Sequence, residues 1–203
     1  MRRIFPSILA AGVAISSASA TRTAAQTMPD TGRFRYTAAD VAFMSGMIHH
    51  HAQAVLMAGW AASHGASPTV RTLCDRIVVA QRDEIALMQR WLRDRNLPAP
   101  EPDAEHDVMP GMEHIMPGML NAEQLAQLDS ARGPDFDRLF LTSMIRHHQG
   151  AITMVNQLQA APGAGEEETV FRFSSDVYAD QTTEIARMQR MLATLLFAGP
   201  SGQ

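Results

Sequence analysis

The sequence predicts an all-α fold, a four-helix bundle built from two duplicated helical hairpins with a Met-rich linker between them. Three observations lead there. The first is an internal repeat: Asp40-x-x-Phe43-x-x-x-Met47-Ile48-His49-His50-His51 matches Asp137-x-x-Phe140-x-x-x-Met144-Ile145-Arg146-His147-His148 without a gap, and the match continues through Ala54/Ala151, Val55/Ile152 and Met57/Met154. A second pair of blocks follows in the same order, Gln81-x-x-Glu84-Ile85-Ala86-x-Met88-Gln89-Arg90 and Gln181-x-x-Glu184-Ile185-Ala186-x-Met188-Gln189-Arg190. Two halves with the same ordered motifs are two copies of one supersecondary unit, here a helical hairpin. The second observation is helix punctuation at the block edges. The third is that no alternating apolar-polar run is long enough to make a strand.

In chain order, residues 1–20 have the pattern of a secretory signal peptide. Arg2 and Arg3 form the charged region, Ile4 to Ile15 the apolar stretch and Ala18-Ser19-Ala20 the small-x-small cleavage site. The apolar stretch is shorter than the about 20 residues a membrane-spanning helix needs. The mature chain, 21–203, is expected to be one bundle domain, periplasmic or secreted, with no membrane attachment once the leader is cut. The first hairpin is expected over 37–96. Thr37-Ala38-Ala39-Asp40 has the form of a capping box, and its helix runs to about Ser63-His64-Gly65. Ser67 caps the second helix with Pro68 in its first turn, and Asn96 with Pro98 closes it. The linker covers 97–133: a Pro- and Gly-rich stretch to residue 120, then a short helix capped by Asn121-Ala122-Glu123-Gln124 that ends near Gly133-Pro134. The second hairpin is expected over 134–198, with one helix from about Asp135 to Ala160, a loop at 161–165 and another helix filling most of 166–197. Four amphipathic helices in two antiparallel pairs bury their apolar stripes as a four-helix bundle.

Several function classes are disfavoured. A net charge of −4 without charge blocks gives no nucleic-acid footprint. The single cysteine, Cys74, can form neither an internal disulfide nor a Cys-based zinc site, and reads as a small packed residue. A nucleophile elbow, a phosphate-cradling Gly loop and a His-Glu-x-x-His motif are all missing, so the chain is read as a binding protein rather than an enzyme. The unusual residues are 14 Met and 8 His.

A helix turns about 100° per residue, which places Phe43, His50, His51, Ala54, Met57 and Ala58 within about 80° of Met47 and His49 near the opposite side. The repeat supports that phase, because the partner of His49 is Arg146, a residue that seeks water. His50/His147 and His51/His148 keep their identity and face inward. Adjacent imidazoles on an apolar face are costly to bury unless their nitrogens are used, and two repeated pairs beside Met point to a metal. Met44 is expected to be core. Met47/Met144 precede the His pairs by a turn, Met57/Met154 follow them, and Met88/Met188 lie a turn after Glu84/Glu184; each pair suits a ligand or a core filler equally. The linker adds Met109-Pro110-Gly111-Met112 and Met116-Pro117-Gly118-Met119 with His114 between, where Pro-Gly turns bring flanking thioethers together. Thioether with imidazole suits Cu(I), and by the same logic Ag(I), better than Mg, Ca or Mn. Asp40 and Asp137 either cap helices or orient imidazoles.

The blocks at 47–55 and 144–152, the Met-Pro-Gly-Met units and the Gln-x-x-Glu-Ile-x-x-Met blocks resemble the domain of unknown function 305 family over about residues 38–195. That resemblance implies an exported bacterial protein with a ferritin-like helical fold, of a kind in some cases linked to copper binding and tolerance. It implies metal-binding roles for Met47, His50, His51, Met144, His147 and His148, with the linker methionines as helpers. The sequence departs from the family pattern in having His49 where Arg146 stands in the second half, and in doubling Met-Pro-Gly-Met. The expected function is sequestration or delivery of copper, with a copper exporter, an oxidase or a donor protein as partner. The alternatives are a ferritin-like metal-dependent oxidoreductase and a structural bundle without metal. A di-iron centre needs a Glu from each of two helices and Glu-x-x-His from the other two. The His helices here have no Glu-x-x-His, and Glu84 and Glu184 are the only suitably placed carboxylates.

Overall fold

The structure, a computed structural model, describes residues 35–102 and 116–197; the leader at 1–20 and Met109, Met112 and His114 lie outside the described residues. The described secondary structure is entirely helical: α1 Ala38–Gly59, α2 Pro68–Arg93, α3 Ala122–Ser130, α4 Gly133–Ala160 and α5 Glu168–Phe197. No described helix is long and apolar enough to cross a membrane. α1, α2 and α3 start where the punctuation places them, and α4 starts at Gly133, two residues before the expected Asp135. Thr37 accepts the amide of Asp40 while the Asp40 carboxylate accepts that of Thr37, and Asn121 and Gln124 form the same reciprocal box before α3. Ser67 caps α2, with Pro68 in the first turn.

The first helix ends at Gly59 rather than near 63–65. The chain continues from Trp60 through single turns to Gly65, whose φ of +69° suits a glycine. The reason is His64. Its Nε2 lies 2.8 Å from the Asp129 carbonyl, its ring stacks on Trp60 at 5.8 Å, and its own carbonyl accepts the Gly133 amide at 2.8 Å. The end of the first hairpin helix is thereby drawn onto the α3–α4 junction instead of extending α1.

The two repeats clamp each other. Asp40, at the start of α1, accepts the Gly165 amide in the α4–α5 loop at 2.6 Å, and Asp137, at the start of α4, accepts the Ser67 amide in the α1–α2 loop at 3.2 Å. Both carboxylates are buried, so each would be costly without these donors. The clamps show α1 and α4 antiparallel: Asp40 caps α1 and ties the α4–α5 loop, Asp137 ties the α1–α2 loop, and among the described residues neither bonds an imidazole. At the start of α5, Glu167 accepts from the Val170 amide, Trp91 Nε1 and Arg95, pinning that end to the end of α2.

The core forms two apolar layers. One gathers Phe43, Met47, Ile85, Trp91, Val155 and Phe173; the other gathers Met57, Leu73, Ile77, Phe136, Phe140 and Met144. Each draws on α1, α2, α4 and α5. Between them runs a belt of buried polar residues, where α1 packs on α4.

Candidate metal centre

The belt is built around four imidazoles. His50 and His51 on α1 and His147 and His148 on α4 are all fully buried, at 0% exposure. The rings of His50 and His147 face each other with centroids 3.9 Å apart, and the neighbours along each helix are 6.3 and 6.2 Å apart. The helical phase read from the sequence holds: His49 is half-buried and Arg146 is exposed, on the other side of their helices.

Each pair is oriented from outside. The Nε2 of His51 lies 2.7 Å from Glu84 on α2, and that of His148 lies 2.7 Å from Glu184 on α5. The His148 contact is a hydrogen bond; the His51 contact is as short but lacks hydrogen-bond alignment. His50 Nε2 lies 3.0 Å from the Pro117 carbonyl. A carbonyl only accepts, so His50 Nε2 carries the proton and Nδ1 is a bare lone pair. A carboxylate behind an imidazole fixes the ring the same way and leaves the other nitrogen as donor to a metal.

Those inner nitrogens are left over by the geometry of the described residues. His50 Nδ1, His51 Nδ1, His148 Nδ1 and both nitrogens of His147 are buried without a hydrogen-bond partner. One buried polar group left unmet costs about 1–3 kcal/mol. Several in one place call for a ligand. The electrostatics agree. Burial, followed by the neighbouring His51, lowers the His50 pKa from 6.5 to about 3, with the Pro117 carbonyl opposing in part. Burial, and then His50, His148 and His51, lower His147 well below its ordinary value. Both rings are neutral at neutral pH, the form that binds metals.

Among the described residues no three His, Cys, Asp or Glu side chains converge on a metal position. The other donor type in the adjoining layers is sulfur. Methionines line both sides. Met47, Met88 and Met154 lie in one apolar layer, and Met57, Met144 and Met188 in the other. The sets are related by the repeat: each takes two methionines from one hairpin and the third from the other. Met44 is fully buried in the first layer, as expected for core. Neutral imidazoles beside thioethers fit a soft monovalent ion of low coordination number.

The second Met-Pro-Gly-Met unit closes one side as a strap over residues 116–121. Gly118 lies against Gly150 of α4 so closely that a Cβ on Gly118 would sit 2.8 Å from the Gly150 Cα. Gln53 accepts from the Leu120 amide at 2.7 Å and donates to its carbonyl at 2.9 Å. Arg146 donates to the Met119 carbonyl at 3.0 Å and to Gln124 at 2.8 Å. The strap brings Met116 against Met154 over Gly46, while Met119 contributes its carbonyl to the tether. On the other side α2 and α5 border a cleft lined by Gln81, Glu84, Gln181 and Glu184.

Sequence reasoning missed Gln53, Pro117, Arg146, Gly150, Gln81 and Gln181. Arg146 was read only as a water-seeking residue. The two glutamines did carry a signal, since each opens the second block of its repeat.

The family described as Domain of unknown function (DUF305) matches residues 40–192. A solved DUF305 structure from Streptomyces coelicolor, whose description proposes secretion, superimposes with a TM-score of 0.65 at 26% identity, covering 81% of this chain and 97% of that one. The protein CopM in its Cu(II)-bound form superimposes with a TM-score of 0.62 at 28% identity, covering 76% of this chain and 96% of CopM. CopM is also known in Cu(I)-bound and Ag-bound forms, with TM-scores of 0.59 for each. An uncharacterized protein of Acanthamoeba polyphaga mimivirus is 33% identical over 58 residues, and there the chain spans 38% of the relative's length.

Proposed function

The chain belongs to the DUF305 family, and on that premise we propose that it is an exported copper-binding protein that sequesters or delivers Cu(I). The observation that carries the reading is the set of buried, unpartnered imidazole nitrogens of His50, His51, His147 and His148 at the α1–α4 crossing. Met47, Met88 and Met154 on one side and Met57, Met144 and Met188 on the other supply thioethers. Glu84 and Glu184, each 2.7 Å from its imidazole, orient the outer pair of rings. Met116 is the strap methionine best placed to assist, since it packs on the first layer.

Imidazole alone would serve Cu(II) or Zn at least as well. Thioethers tilt the preference to Cu(I), and by the same chemistry to Ag(I). They carry no proton to lose and cannot be tied up as disulfides outside the cytoplasm. The metal-bound forms of CopM support the reading. The leader pattern supports export, and a copper exporter, an oxidase or a donor protein is the expected recipient.

The test is anaerobic competition for Cu(I) between the mature protein and a chromophoric chelator, with Cu(II) affinity in parallel. Replacing Met47 and Met144 by Leu keeps volume and apolar character at under about 1.5 kcal/mol each. Cu(I) binding should weaken while Cu(II) binding changes little. Unchanged Cu(I) affinity in the folded variant would make the methionines core alone and overturn the Cu(I) assignment. Absence of copper binding in the native protein would overturn the function.

A further inference from the structure

We propose that the cleft between α2 and α5 is a second cation site, built from oxygen donors, that takes a hydrated divalent ion of the hard class such as Mn2+. The first observation is a pair of stranded amides. Gln81 and Gln181 line the cleft and are 2% and 4% exposed, yet both polar atoms of the Gln81 amide and the Oε1 of Gln181 have no hydrogen-bond partner. They are equivalent residues of the two repeats, and the one cleft takes an amide from each. Buried amides of this kind are ordinarily satisfied by protein, water or an ion.

The second observation is the carboxylates around them. Glu84 and Glu184 line the same cleft and turn their Oε2 atoms to His51 and His148. Their Oε1 atoms have no protein donor among the described residues. Asp180 completes the wall, and Arg76 is the cation among the lining residues. The Asp180 carboxyl is pushed up by its partial burial first, then by the negative charges of Glu84, Asp176 and Glu184. The negative charges of the cleft are therefore felt at Asp180, and a cation there would offset them.

The donor chemistry fixes the class of ion. Carboxylate, amide carbonyl and water suit Mg, Ca and Mn. Among the described residues no three acidic or imidazole groups converge on one point, so the ion keeps part of its hydration shell, as small divalent ions do when one or two carboxylates hold them. The cleft, of about 240 Å³, holds about eight water volumes, enough for an ion with several of its waters. The soft donors of the buried centre discriminate against such an ion, so this site stands whether or not the chain binds copper.

The experiment is titration of the copper-free mature protein with Mn2+, following loss of the free-ion EPR signal. One Mn2+ per chain should bind, with a dissociation constant on the order of 10⁻⁴ M, as in open extracellular oxygen sites. Glu84→Gln with Glu184→Gln should abolish binding, and Gln81→Leu with Gln181→Leu should weaken it about tenfold. Glu168→Gln, at a surface ion pair with Arg172 outside the cleft, should leave it unchanged. Circular dichroism checks that each variant is folded. Mn2+ that stays free at millimolar concentration, or that binds equally to the native protein and the folded Gln81→Leu/Gln181→Leu variant, would overturn the proposal.

Discussion

Gly150→Ala tests whether the strap is seated by close backbone contact. In an open helix position the change should stabilise, since Ala exceeds Gly in helix propensity by about 0.8–1.0 kcal/mol. At Gly150 the new Cβ would meet the Pro117 carbonyl oxygen and carbon and lie 2.8 Å from the Gly118 Cα. All of these are backbone atoms, so no rotamer change relieves the clash. The strap must lift. Lifting gives up four hydrogen bonds: His50 to the Pro117 carbonyl, the two between Gln53 and Leu120, and Arg146 to the Met119 carbonyl. At about 0.5–1.5 kcal/mol each they sum to about 2–6 kcal/mol, and after the propensity gain a net loss of about 3 kcal/mol remains. Urea unfolding of the metal-free protein measures it, and hydrogen exchange at the Leu120 amide reports the strap directly. Gly59→Ala is the matched control, because nothing lies within 4 Å of its Cβ position; it should stabilise by up to about 1 kcal/mol. If Gly150→Ala stabilises as Gly59→Ala does, and Leu120 keeps its protection, the strap is not held as described.

Three further outcomes are expected. His50→Ala with His51→Ala should cut copper stoichiometry sharply while His49→Ala leaves it nearly unchanged, measured by metal analysis after dialysis; equal losses would refute the assigned helix phase. The metal-free protein should lose stability as pH falls below 6.5, because His50 titrates near 3 when folded and at 6.5 when exposed, so the unfolded chain takes up the extra proton. The slope is about 1.4 kcal/mol per pH unit for each such His, with His147 acting in the same direction, and it levels off above pH 6.5; urea midpoints that do not move between pH 7 and pH 5 would contradict it. N-terminal sequencing of exported protein should begin near Thr21, and a retained leader would contradict export by cleavage.

The fold was largely legible because its signals are local. Capping boxes at Thr37 and Asn121, Pro68 in a first turn and the 3.6-residue phase of the His pairs are each decided by neighbours in sequence. The end of α1 was not, because tertiary contacts of His64 with Asp129 and Gly133 override a continuous helical pattern. The inward direction of the four imidazoles followed from phase alone, but their outer partners did not. Glu84 and Glu184 stand out in the repeat, yet their place behind the rings depends on how α2 and α5 lie against α1 and α4. Pro117 was invisible as a functional group because it acts through its carbonyl, which every residue possesses.

The differences between the repeats held information that the similarities did not. Where the first half has Gly46, His49 and Gln53, the second has Ser143, Arg146 and Gly150. These positions are spaced three and four apart, so each set forms one stripe along its helix. The strap meets both stripes. Met116 lies over Gly46, Leu120 is held by Gln53, Met119 by Arg146, and Gly118 lies on Gly150. A symmetric dimer of hairpins would present identical stripes, and a single strand crossing the two-fold axis cannot satisfy both. One half must grip where the other makes room, so Gln53 faces Gly150 as its counterpart. The inward positions, His50/His147 and His51/His148, escape this pressure because they face the shared centre. Divergence along the stripe under the strap, with the His pairs kept identical beside it, is what an asymmetric segment laid on a duplicated pair of helices requires.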